Sequence, residues 1–201
     1  MSQINTRSPV TEDILKSYPE TTPAELEAAL ARANRLFEKS RVLPRAEMRN
    51  SRKATLLKMA DHFDTHLDSH AKLITEEMGK TLKHSREEVK KCASTLRVMV
   101  EDADRLFAPR SHPRGDGFEA HTEWDPLGTL YAIMPWNFPY WQAIRAFAPS
   151  YLLGNSFLLK HASIVTGSAL QLQKAFQEAG GEAGAFEILI LSGEKALTPI
   201  D

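Results

Sequence analysis

Apolar positions recur every three to four residues through the first hundred positions and then change period. "TTPAELEAALARANRLFEKS" opens with Thr22, Pro23 and Glu25, a capping box in which Thr and Glu satisfy each other's orphan backbone donors. Leu26, Ala29, Leu30, Ala33 and Phe37 follow at helical spacing. A second helix is predicted from about Arg45, carrying Met48, Leu56, Met59, Phe63 and Leu67, with a break before it runs on to Gly79. In "SREEVKKCASTLRVMVEDADRLF", Val89, Ala93, Leu96, Val100, Ala103 and Phe107 form one stripe that stops before Pro109. "SHPRGDGFEAHTEWDPLG" (111–128) reads as a loop with an extended strand.

Beyond residue 128 the runs become continuous. "TLYAIMP" suits a strand buried on both faces. "YWQAIRAFAPSYLLG" is helix-length, with Pro149 expected to kink it, and "SFLLK" is a second buried strand. "TGSALQLQKAFQEAGG" is an amphipathic helix stopped at Gly180–Gly181, and "AFEILIL" a third strand. Strand–helix–strand–helix–strand is the order of a parallel α/β sheet. The expected organisation is therefore an N-terminal helical segment (1–110), a loop and strand (111–127), and an incomplete Rossmann-like parallel sheet (128–201).

Charge sharpens this division. Most of the 25 Lys and Arg and 26 Asp and Glu precede residue 121, and Arg145 is the only charge between Asp125 and Lys160. A membrane span needs about 20 continuous apolar residues. Pro135, Pro139, Pro149 and Gly154–Asn155 cut this stretch into shorter pieces, so it reads as buried core. A net charge of −1 gives no electrostatic capture of nucleic acid. The single cysteine excludes an internal disulfide and, with a polar N-terminus, suits a cytoplasmic setting.

"MPWNFP" (134–139) is where chemistry enters. Two prolines four apart bar a regular element, yet they hold a polar amide, Asn137. In open parallel sheets ligands bind at the carboxyl ends of strands, and this turn falls there. Asn137 is either a helix N-cap or a ligand-facing amide. Lys160 in "LLKHAS" ends the second strand at the same rim, either reaching solvent or donating to a ligand's hydroxyls or phosphate.

"GTLYAIMPWNFPYWQAIRAFAPSYLLGNSFLLKHAS" resembles the cofactor domain of the NAD(P)-dependent aldehyde dehydrogenase superfamily, above all its succinate-semialdehyde dehydrogenase branch. The Pro135–Pro139 turn, Gly154–Asn155 and Lys160–Ser163 carry the resemblance, and "EEMGKTLKHSREEVKKCA" is similar to the family's N-terminal helices. The resemblance implies oxidation of an aldehyde to the acid. A cysteine thiolate attacks the carbonyl, Asn137 stabilises the alkoxide, hydride leaves for nicotinamide, and a glutamate assists thioester hydrolysis. Met134, Pro135, Trp136 and Asn137 would line the cofactor cleft, and Lys160 would bond the adenosine ribose. Ser163 stands where many NAD-preferring members have a glutamate, so NADP should be tolerated beside NAD.

The family enzyme is more than twice this length, and its nucleophile and catalytic glutamate segments find no match here. The only cysteine, Cys92, sits mid-helix in "VKKCASTL" and reads as structural. The chain alone is therefore expected to lack dehydrogenase activity, and an unpaired sheet edge is expected to favour aggregation. His62, His66 and His70 recur every four residues but lack the glutamate of a metalloprotease motif, so no metal site is expected. Two further readings stand beside the enzyme. One is an interaction module that joins a full-length relative or a second copy through an arm-like strand at 119–127. The other is a decayed gene product.

Overall fold

The computed structural model describes residues 2–113, 115 and 117–200; the remainder of the predicted 111–128 loop, residues 114 and 116, lies outside the described residues. The chain opens with a hairpin that the apolar pattern left unassigned, β1 (Gln3–Arg7) against β2 (Ile14–Pro19), antiparallel. Its turn holds Glu12 at φ 63°, a left-handed conformation that a side chain adopts at a cost.

Four helices follow: α1 (Pro23–Arg41), α2 (Arg45–Thr65), α3 (Leu67–Met78) and α4 (Leu82–Leu106). The capping box forms as expected, with the Thr22 N–H on the Glu25 carboxylate at 2.8 Å and the Glu25 N–H on the Thr22 hydroxyl at 3.3 Å. Leu36 joins the core of α1's inner face, while Phe37 is half-buried beside Gly128. The break in the second predicted helix falls at His66, and Gly79 ends α3 in the left-handed conformation that favours glycine. A second antiparallel hairpin, β3 (Arg110–Pro113) with β4 (Glu119–Thr122), replaces the single extended strand expected there.

The rest is β5 (Thr129–Met134), α5 (Pro139–Leu153), β6 (Ser156–His161), α6 (Thr166–Glu178) and β7 (Phe186–Ile188). The sheet is parallel, in the order β5–β6–β7, with Thr129 to Met134 beside Ser156 to His161. Side-chain alternation along β6 splits the core. Phe157 and Leu159 enter the large core with Phe147, Leu172, Phe176 and Phe186, and Leu158 meets Leu26, Ala29 and Ala33 of α1 on the other face. β6 is buried throughout because it has a strand on each side and helices above and below. β5 is only half-buried, against expectation, because it is the sheet's edge. Ile133 is 48% exposed there.

α5 runs through Pro149, and α6 ends in a Schellman motif with Gly180 N–H on Gln177 O and Gly181 N–H on Phe176 O. Arg52 locks α2 to the end of α5. Buried among Ser40, Tyr151 and Asn155, its guanidinium donates to both backbone carbonyls and to the Ser40 hydroxyl.

Candidate active site

The turn 135–138 leaves β5 at the sheet's carboxyl rim, beside the end of β6. Ile133 pairs with Lys160 and Met134 with His161, so the two predicted polar tips belong to adjacent strand ends. Asn137 is exposed, and its amide makes no hydrogen bond to a described residue. The N-cap alternative is thereby removed: the cap position of α5 is Phe138, and no side chain of the turn closes the helix.

The cap comes from elsewhere. Glu88, 3% exposed on α4, accepts the N–H groups of Tyr140 at 2.9 Å and Trp141 at 3.0 Å through one oxygen. Its other oxygen pairs with Lys80, whose ammonium also sits 3.9 Å from the centre of the Phe138 ring. A carboxylate at a helix start satisfies orphan donors and complements the helix dipole.

The second unit repeats the device. Glu77, at the end of α3, accepts from the N–H groups of Gly167 and Ser168, each at 2.8 Å, and from the Ser168 hydroxyl. Gly167 is required there, since a Cβ would lie 2.5 Å from the Glu77 oxygen and 2.6 Å from the Tyr18 hydroxyl. Burial raises the Glu77 carboxyl above its ordinary range despite these bonds. With both helix starts filled by protein carboxylates, neither is open to a phosphate in the manner of many α/β sheets.

Lys160 is 5% exposed, and its ammonium has no hydrogen bond or ion pair with a described residue. Burial lowers its pKa. Ser163 is half-buried in the short turn after β6, where its carbonyl accepts the Thr166 hydroxyl at 2.8 Å. Trp136, 49% exposed, lines a cleft of about 620 Å³ with Ile164, Met78, Pro9, Arg7 and Glu77. Met134 and Pro135 lead into it from β5, and the Met134 carbonyl accepts Ala162 N–H at 3.0 Å.

His161 ties the end of β6 to the start of α5, a role the sequence reading missed. One ring nitrogen lies 2.8 Å from the Pro139 carbonyl and the other accepts Ala162 N–H at 2.9 Å. A carbonyl needs a donor and an N–H needs an acceptor, so the imidazole is neutral with its proton on Nε2. Burial takes its pKa down to about 4. Glu77, Glu88 and Lys80 were also missed; their only trace was two acidic residues in helices that otherwise look solvated, and a lysine in the link between those helices. Arg145, exposed on α5, has no partner among the described residues.

Cys92 is fully buried with its thiol pKa well above the usual value, so it is no thiolate nucleophile. Among the described residues no group of three His, Cys, Asp or Glu is placed to hold a metal ion, and no helix is long and apolar enough to cross a membrane.

The aldehyde dehydrogenase family profile matches residues 1–200. An aldehyde dehydrogenase of Paenarthrobacter nicotinovorans is 37% identical over 201 residues, covering 98% of this chain and 43% of its own. Succinate-semialdehyde dehydrogenase [NADP(+)] 1 of Mycobacterium tuberculosis is 38% identical over 191 residues, covering 94% of this chain and 41% of its own. The crystal structure of succinic semialdehyde dehydrogenase from Streptococcus pyogenes with NADP+ superposes with a TM-score of 0.93 at 32% identity, covering 98% of this chain and 42% of that one. The chain thus spans about two fifths of the length of these relatives. It belongs to the aldehyde dehydrogenase family.

Proposed function

We propose that residues 1–201 act as the N-terminal part of an NAD(P)-dependent aldehyde dehydrogenase that oxidises an aldehyde such as succinate semialdehyde to its acid. The observation that carries this is the placement, at adjacent strand ends, of the buried Lys160 side chain and the exposed Asn137, whose ammonium and amide have no partner among the described residues. A buried lysine without a protein partner suits a ligand that supplies hydroxyl oxygens, as a nucleotide's ribose does. A bound nicotinamide supplies a hydride acceptor. Met134, Pro135 and Trp136 would border that cofactor, and Lys160 would hold its sugar. Asn137 would donate its amide hydrogens to the oxyanion formed when a thiolate attacks the aldehyde carbon. A donor of this kind is worth about 3–4 kcal/mol of transition-state stabilisation.

Ser163 leaves the ribose end without a carboxylate, which supports acceptance of NADP as well as NAD. The exposed, unpaired Arg145 supports an aldehyde that bears a carboxylate, as the relatives' names indicate. These 201 residues hold no thiolate nucleophile, so they turn over no substrate by themselves. The test is titration of the purified chain with NADP and with NAD by calorimetry, alongside Lys160→Ala. Binding that the substitution weakens at least tenfold supports the reading. NADP reduction by the chain with succinate semialdehyde, above a protein-free blank, contradicts the inactivity.

A second reading is association with a full-length relative or another copy. The β3–β4 hairpin and the segment after it, with Trp124 and Leu127 exposed, support it. Co-elution with a full-length family member, lost on Trp124→Ser with Leu127→Ser, is its test. The lone, buried cysteine suits a cytoplasmic setting.

A further inference from the structure

Around Asn137 the backbone is anchored on both sides. Before it, the Met134 carbonyl takes Ala162 N–H; after it, the Pro139 carbonyl takes the His161 ring. Tyr140 is held twice, its N–H by Glu88 and its hydroxyl by His70 Nδ1 at 2.7 Å. Trp141 N–H also goes to Glu88, and its ring lies 3.9 Å from the Lys91 ammonium. Between these anchors, residues 135–137 bond to no side chain of the described residues.

A helix whose first donors lack a partner takes its cap from the nearest short polar residue, and in this turn that residue is Asn137. An amide spent on that bond points inward and loses its outward donors. Glu88 takes up those donors from a different element.

We propose that Glu88, seated by Lys80, is a positioning residue for Asn137: it closes the start of α5 from α4 and so leaves the Asn137 amide free at the rim. The inference rests on the reading of Asn137 as the oxyanion donor. Glu88 touches neither substrate nor cofactor and acts only through the turn. Lys80 serves twice, neutralising the carboxylate and covering Phe138, the residue that follows the amide.

The test uses the isotopically labelled whole chain and NMR. In Glu88→Ala, amide exchange at Tyr140 and Trp141 should accelerate at least tenfold. The Asn137 side-chain NH₂ pair should shift or broaden, while the Leu158 and Leu159 amide resonances in β6 keep their chemical shifts. Glu88→Gln keeps an acceptor oxygen and should hold the exchange rates within threefold of the parent. Leu172→Ala, a core truncation in α6, controls for general loss of stability and should leave the Asn137 pair unmoved. If Glu88→Ala does not fold, Glu88→Asp decides, since it keeps the charge but withdraws it by one methylene. An unmoved Asn137 pair in whichever of these two folds overturns the proposal, as does a Leu172→Ala shift of equal size. NADP titration of the parent is a separate readout. A chain that binds no NADP yet shows the Asn137 response loses the enzyme reading and keeps the positioning.

Discussion

The two strand-to-helix units at the rim solve one problem differently. Both helices start without a cap of their own, and both receive a buried glutamate from the N-terminal helices. At α5 the carboxylate is neutralised by Lys80 and approaches a turn stiffened by Pro135 and Pro139. At α6 the carboxylate has no cation beside it among the described residues. It relies on two N–H groups and a hydroxyl, and needs Gly167 to get close. The polar tips differ in the same way: Asn137 is exposed and stiffly mounted, whereas the Lys160 side chain is buried and its ammonium has no partner among the described residues. Capping from a distance frees the residues of the turn for other work, and the helical layer is what makes that possible.

Four substitutions or conditions press on this contrast, ordered by expected size. Glu88→Ala leaves Lys80 unpaired and two N–H groups unsatisfied, and should cost about 4 kcal/mol, against about 2 kcal/mol for Glu77→Ala, which strands no cation. Chemical denaturation of the two variants measures the difference, and equal losses would show that Lys80 contributes nothing to the α5 cap.

Acidification should cost somewhat less for each group it titrates. Burial holds His70 and His161 neutral, each with a pKa of about 4 against an ordinary 6.5. Between those values the unfolded chain binds more protons than the folded one, so stability is full above about pH 6.5 and falls as pH drops toward 4. Each histidine contributes on the order of 3 kcal/mol over that window. The denaturation midpoint measured from pH 7 to pH 4.5 should fall steadily, and His161→Gln should remove about half of the slope.

Gly167→Ala should cost about 2 kcal/mol, because the new methyl must displace the Glu77 carboxylate and the Tyr18 hydroxyl. The thermal midpoint reports it, and Glu77→Ala in the same chain should recover part of the loss. Asn137→Ala should change stability by less than about 0.5 kcal/mol, since the side chain is exposed and bonds to no described residue. A clear loss would mean that the amide has a structural partner, and the contrast with the buried Lys160 would collapse.

Much was legible along the chain. The Thr22–Glu25 box, the breaks at His66 and Gly79 and the period change after residue 128 are local signals, carried by residues within a turn or two of one another. The placement of "MPWNFP" and "LLKHAS" at strand ends followed from the same logic. The opening hairpin was missed because its apolar residues are few, and because Glu12 stands at the left-handed position where glycine is the usual signal.

What Asn137 does with its amide depended on a residue 49 positions earlier. Glu88 and Glu77 look like solvated helix surface in one dimension, and become buried caps only when α3 and α4 pack against the starts of α6 and α5. Likewise β5 carries the apolar run of a fully covered strand, yet it lies half-bare at an edge, because coverage depends on neighbours and not on the strand's own residues. Local backbone preference and hydrophobic period are written into contiguous residues, so the elements and their order could be read directly. Desolvation, ion pairing and the satisfaction of helix ends arise between segments far apart in the chain, and they exist only once the layers have closed on one another.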